Sequence, residues 1–166
     1  MKENLQTAIQ RAIDEAPERG FVESVELSFT IKDVDLKIPT NRIQEEVRLP
    51  SGRGKPVKIA MFAGGDRQKA RKIAKQYDFF LSEIPHMGTV GRFLGGVLGP
   101  RGKMPRPVPP TLDPSALASG LKDTAIVRSR DRVTFHTALG SREQGIDDLT
   151  SNAVAVWERV TGKLER

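Results

Sequence analysis

The 166-residue sequence contains no cysteine. That excludes a disulfide framework, a thiolate nucleophile and cysteine-ligated zinc, and it fits a reducing compartment such as the cytoplasm. No apolar run approaches the roughly 18 residues that would suggest a membrane span, and the opening MKENLQTAIQ is too polar for a signal peptide. Only two histidines are present. His86 and His136 lie far apart, and no Ser, His and acid grouping has a recognised spacing, so the chain reads as a non-enzyme with no catalytic residue, metal site or cofactor. Acidic residues are absent between Glu83 and Asp113. That stretch is purely cationic in a chain with 27 Lys and Arg against 21 Asp and Glu, a net charge of +6, which favours a polyanionic partner.

What is present suits a folded chain: 37% hydrophobic and 29% charged residues are too apolar for wholesale disorder. Leu5, Ala8, Ile9, Ala12, Ile13 and Ala16 recur at helical spacing and predict an amphipathic helix stopped by Pro17. After a turn at Glu18-Arg19-Gly20, Val25, Leu27, Phe29 and Ile31 alternate with Glu26, Ser28 and Thr30 as in a half-buried strand. Ile43, Glu45, Val47 and Leu49 suggest a second strand, and residues 50–56 read as a linker. VKIAMFA over 57–63 is apolar on both alternating faces, Gly64-Gly65-Asp66 leads into a helix RQKARKIAKQ, and FFLSE over 79–83 is a strand, so the middle reads as α/β. From Ser115 come a short helix ALASGL and two strands, TAIVRSR and RVTFHTA, meeting near Asp131 as a β-hairpin. A closing helix buries Ile146, Leu149, Ala153, Val156 and Val160, with Trp157 adjoining them as a core residue.

The fold class is therefore α+β. Residues 1–53 and 109–166 form a discontinuous first domain, an antiparallel sheet with helices, into which residues 54–108 are inserted as an α/β, Rossmann-like second domain. Hinges near 50–56 and 105–114 would join two mobile lobes.

Residues 86–110, HMGTVGRFLGGVLGPRGKMPRPVPP, place Arg92, Arg101, Lys103 and Arg106 in a glycine-punctuated stretch that reads as flexible. Backbone amides there can approach phosphate oxygens while the cations complete the contact. The same glycines equally suit turns and close packing, with the cations solvating a loop. A P-loop is excluded, because Met104 follows Gly102-Lys103 where Ser or Thr would hold magnesium, and Val97 stands where the first glycine is needed. Gly64-Gly65 lacks the three spaced glycines of a dinucleotide fingerprint. No helix concentrates base-reading side chains as a DNA-recognition helix would, RQKARKIAKQ excepted.

FFLSEIPHMGTVGRFLGGVLGPRGKMPRPVPP closely resembles the signature of the archaeal branch of the ribosomal protein L-one family, and LGPRGKMP with its Pro-rich continuation is the most diagnostic part. FVESVELSFTIKDVDLKIPTNRIQEEVRLPSGRGK resembles that family's first-domain strands and the crossing into its inserted domain. The resemblance implies a single-copy constituent of the large ribosomal subunit in the cytoplasm. Its first domain would grip folded large-subunit ribosomal RNA at the mobile stalk, and the stalk would contact deacylated transfer RNA leaving the exit site. Many members also repress their own messenger RNA.

Residue by residue, the resemblance sets Phe21 at the family's RNA-contacting aromatic position and Ser24 at its nearby hydroxyl position. An aromatic can stack on a base or ribose, and a hydroxyl can bond a 2′-OH. Read alone, Phe21 favours a core aromatic. Glu26 projects from the same strand, either to accept a hydrogen bond from RNA or as a solvated carboxylate. Arg19, Arg92, Arg101, Lys103 and Arg106 complete the candidate RNA-binding set. The sequence departs from the family twice: it stops at Leu164-Glu165-Arg166 before a Thr-Met-Gly strand, and it lacks a stretch of helix and strand between Gly64-Gly65 and Asp66. Both departures imply a shortened chain or part of a longer one. The alternative reading is a generic basic RNA- or DNA-binding module outside the ribosome, which competition between duplex DNA and structured RNA would separate.

Overall fold

In the computed structural model, which describes residues 1–62 and 67–164, helix α1 (Lys2–Asp14) turns the row Leu5, Ile9, Ile13 inward and leaves Ala8 and Ala12 exposed. It ends before Pro17, which can neither donate to the helix nor fit its last turn. Strand β1 (Ser24–Thr30) pairs antiparallel with β7 (Thr134–Ser141), matching Phe29 to Phe135 and Ser24 to Ser141, with a bulge between Val25 and Glu26. Strand β2 (Gln44–Arg48) pairs antiparallel with β6 (Thr124–Arg128). The hairpin that TAIVRSR and RVTFHTA suggest does not form as a ladder: β6 and β7 are consecutive, yet each takes its partner from the N-terminal part of the chain. Ser129 shows why. Its N–H donates to Ile43 O at 3.0 Å and its hydroxyl accepts from Ile43 N at 2.9 Å, so the residue after β6 continues the ladder toward β2.

Helix α5 (Ile146–Leu164) covers these strands with Leu149, Ala153, Val156 and Val160, all buried beside Ile43, Leu49, Val127 and Leu139. Trp157 stands at the rim rather than inside this core. It is 37% exposed, and its ring lies 6.1 Å from Phe29, which stacks on Phe135 at 5.4 Å.

The middle of the chain alternates strand and helix. Strands β3 (Ile59–Phe62), β4 (Phe79–Glu83) and β5 (Arg106–Val108) are parallel in the order β3-β4-β5. Helices α2 (Arg67–Gln76) and α3 (Ile84–Leu98) intervene. Phe79 to Ser82 are buried without a break, as in a strand covered on both faces, whereas β3 leaves Met61 exposed. Phe62 stacks on Phe80 at 5.0 Å, and Val90, Leu94, Val97 and Leu98 pack against that pair. The turn expected at Gly64-Gly65-Asp66 lies outside the described residues.

The sequence reading of residues 86–110 as flexible is corrected over 84–98, which form α3. Val90, Leu94, Val97 and Leu98 return at three- and four-residue spacing, and their burial holds the helix despite its glycines. The Pro-rich run is not simply a linker either, because Pro107 sits in β5 at the edge of its sheet, where a missing N–H is tolerated. The chain leaves this unit only after helix α4 (Pro114–Lys122). The compact units are Met1–Lys55 with Asp123–Arg166, and Pro56–Lys122. Residues 109–122, which composition assigns to the first domain, therefore group with the second unit. The chain is α+β.

Candidate functional site

In the first unit, β1 is approached by an exposed aromatic. Phe21 is 65% exposed and Val22 is also open, which removes the core reading of Phe21 and leaves its ring available for stacking. Ser24 opens β1, and its hydroxyl accepts from Lys55 Nζ at 2.8 Å. The same ammonium donates to Val22 O at 3.0 Å, so a cation is fixed on the hydroxyl and on the backbone of the residue that follows Phe21. Sequence reasoning missed Lys55 because nothing in a Gly/Pro-rich stretch marks one lysine from another.

Period-two alternation puts Ser24, Glu26, Ser28 and Thr30 on the exposed face of β1, next to exposed Thr134 and His136 of β7. The Thr30 and Thr134 hydroxyls lie 3.3 Å apart. Glu26 lies 3.7 Å from His136 Nε2, an ion pair whenever the imidazole is protonated. The result is a hydroxyl-rich ribbon suited to ribose contacts. Arg19 Nε lies 3.3 Å from Glu23 Oε1 and is otherwise half exposed.

The four cations singled out in the second unit have separate employments. Gly102 adopts φ 67°, its N–H donates to Gly99 O at 2.9 Å, and Lys103 N–H donates to Leu98 O at 3.0 Å. This is the paired bonding of a Schellman motif beyond α3, where only glycine adopts the left-handed backbone at low cost. Lys103 Nζ donates to Tyr77 O at 2.6 Å and Ala74 O at 3.0 Å, satisfying carbonyls at the C-terminal end of α2. The Gly-Lys of the signature is thus used in folding. Arg101 Nη1 donates to Val97 O at 2.7 Å, Arg106 Cζ lies 5.7 Å from the Phe79 ring centre, and exposed Arg92 lies 5.9 Å from that of Phe93. Arg101 also lines an open groove of about 490 Å3 with Lys72, Lys75, Gly96 and Val97. That groove is cationic, and Lys72 and Lys75 were not singled out by sequence.

Lys103→Ala should lower stability by about 1–2 kcal/mol, the scale of charged hydrogen bonds to helix-end carbonyls. RNA affinity should stay within about twofold, since this ammonium is part-buried on two carbonyls, whereas that of Lys55 is exposed. Urea unfolding and a binding isotherm on one preparation would check both, and a marked fall in affinity with unchanged stability would make Lys103 a direct contact.

An open groove of about 890 Å3 in the first unit is lined by Asp14, Glu15, Asp147 and Asp148 among others, a sign of charge that repels a polyanion. Among the described residues, no group of three or more metal-ligating side chains converges, and no helix is long and apolar enough to cross a membrane.

A family model described as the Ribosomal protein L1p/L10e family matches residues 65–166. The chain is 42% identical to the large ribosomal subunit protein uL1 of Methanothrix thermoacetophila, covering 100% of this chain and 88% of that relative. It is 41% identical to the protein of the same name from Thermoplasma acidophilum, over 98% of this chain and 86% of the relative. A third relative of that name, from Picrophilus torridus, is 41% identical over 95% of this chain and 85% of its own length. The first alignment spans 191 residues against 166 here, so that relative carries residues without a counterpart in this chain.

Proposed function

Because the chain belongs to the ribosomal protein L1p/L10e family, we propose that it is a constituent of the large ribosomal subunit in the cytoplasm, and that it binds large-subunit ribosomal RNA through the segment leading into β1. The observation that carries this reading is the exposed Phe21 ring in the short segment that also holds Val22 and Ser24, to which the Lys55 ammonium is bonded. Stacking surface, cation and hydroxyl are elements with which proteins contact folded RNA, and the protein acts by binding rather than by catalysis.

On this reading the two-segment unit is the RNA-gripping domain, and the inserted unit is a Rossmann-like domain that moves with the stalk. Arg19 and Glu26 belong to the first contact surface. The second carries Arg92, Arg101 and Arg106, and the groove of Lys72, Lys75 and Arg101 supports a second polyanion contact there. That contact is with deacylated transfer RNA at the exit site, whose release the protein assists. A messenger RNA folded like the ribosomal target would meet the same first-domain surface, which is the basis for repression of the protein's own message.

The test is binding of the wild-type chain and Phe21→Ala to a stalk-type ribosomal RNA fragment, to unrelated structured RNA and to duplex DNA across a salt series. Wild type should prefer the stalk fragment, and Phe21→Ala should weaken that complex about tenfold or more, the value of one stacked base. Equal and steeply salt-dependent binding to all three would leave only the generic charge contribution and overturn the reading.

A further inference from the structure

We infer that Arg142 is a positioning residue for the RNA-contacting segment, an inference that rests on the reading of Phe21 and Arg19 above. Arg142 directly follows β7, and its backbone N–H donates to Glu23 O at 3.0 Å. Its side chain then reaches back across the segment between α1 and β1. Nη1 donates to Glu23 Oε2 at 2.7 Å and to Pro17 O at 3.3 Å, while Nη2 donates to Ile13 O at 3.2 Å and Ala16 O at 3.4 Å. One guanidinium therefore joins the end of α1, Pro17 and the approach to β1.

The sequence creates the need for this contact. Ile13 O would ordinarily accept from the N–H four residues on, but that residue is Pro17, which has none. The carbonyl needs another donor, and a cation suits the negative end of the helix dipole. The four acceptors here exceed the three donors of a lysine ammonium, whereas the planar fork of five N–H groups on arginine can serve them all.

Glu23 extends the network, since its other oxygen holds Arg19 at 3.3 Å. Pro17 and Glu23 bracket residues 18–22, which carry Arg19 and Phe21, so Arg142 fixes the base of the segment. Its own donors face protein acceptors, with the side chain 28% exposed. Arg142 acts on RNA through the segment it orders. Removing it leaves that segment to be ordered at the moment of binding, which lowers affinity.

The test measures affinity for the stalk-type ribosomal RNA fragment across a salt series for the full chain, Arg142→Ala, Arg142→Lys, Phe21→Ala and the Arg142→Ala/Phe21→Ala double variant, with thermal unfolding alongside. Arg142→Ala should bind about tenfold more weakly, and Arg142→Lys should recover little of that. The salt slope should be unchanged, because no phosphate contact is lost. Arg142→Ala should cost far less in the Phe21→Ala background than in wild type. Unchanged affinity, full additivity, or a slope reduced by about one would overturn the inference, the last by making Arg142 a phosphate contact. If Arg142→Ala does not fold, Glu23→Gln takes its place in the cycle, with a smaller loss expected and the same additivity test. If Phe21→Ala itself binds like wild type, the RNA-site reading fails, and the inference falls with it rather than on Arg142's own account.

Discussion

Asn152→Ala should lower the unfolding free energy of the first unit by about 3–5 kcal/mol, because one buried side chain bonds three backbone groups, of which Gly52 O keeps a long 3.5 Å bond from Gln144. Asn152 lies on α5 and is fully buried. Its Nδ2 donates to Gly52 O and Leu139 O, each at 2.8 Å, and its Oδ1 accepts from Ser51 N at 3.0 Å. Gln144 reaches the same turn, donating to Ser51 O at 3.0 Å while accepting from Ser141 N at 2.9 Å. Gly52 and Gly54 make the turn possible with φ of 69° and 63°, and a Cβ at Gly54 would collide with the Gln144 amide. The sole tryptophan, Trp157, packs in this unit, so its fluorescence during urea unfolding reports the effect. The midpoint should fall with little change in slope. Asn152→Asp should not rescue, since it keeps the acceptor and aims a carboxylate at two carbonyls. A loss below about 1 kcal/mol would mean that water takes over the exposed bonds.

Leu94→Ala should be nearly as damaging in the second unit, costing about 2–5 kcal/mol for a large-to-small change at a fully buried site. Helix α3 contains Gly88, Gly91, Gly95 and Gly96, each about 1 kcal/mol poorer than alanine in a helix interior. Among the described residues nothing approaches within 4 Å of a Cβ built at these four positions. Packing among those residues therefore does not require them, and the helix depends on its stripe of Val90, Leu94, Val97 and Leu98. Amide exchange should show 84–98 losing protection while 146–164 keeps it. Simultaneous loss in both segments would show that the units unfold as one block.

Elements were legible wherever apolar residues keep a clean period, as in β1, β2 and α5. They were hidden where a residue type ordinarily means interruption. The glycines of α3 and Pro107 in β5 argued against regular structure, and only tertiary burial of the first and an edge position for the second overrode them. The candidate site divides in the same way. Phe21 could be read as core from composition, and its exposure is a property of the folded chain. Lys103 looks like any loop cation until its contacts 26 and 29 residues back are known. Lys55 reaches Ser24 across 31 positions and Arg142 reaches Glu23 across 119, and no local pattern carries information over such separations.

The pairing of β1 with β7 also sets an order of events during synthesis. Thr30 meets Thr134 from 104 positions away, while the second unit occupies one unbroken stretch, Pro56–Lys122. As the chain emerges from N- to C-terminus, the second unit has every residue it needs before β6, β7 or α5 exists. The long loop to β7 must close last, and at greater entropic cost. Glu23 and Ser24 are therefore made early but meet Arg142 and Ser141 only after the whole second unit has been synthesised. A chain that stops short of β7 thus carries Phe21 and Ser24 of the proposed first-domain contact without the strand that pairs with β1.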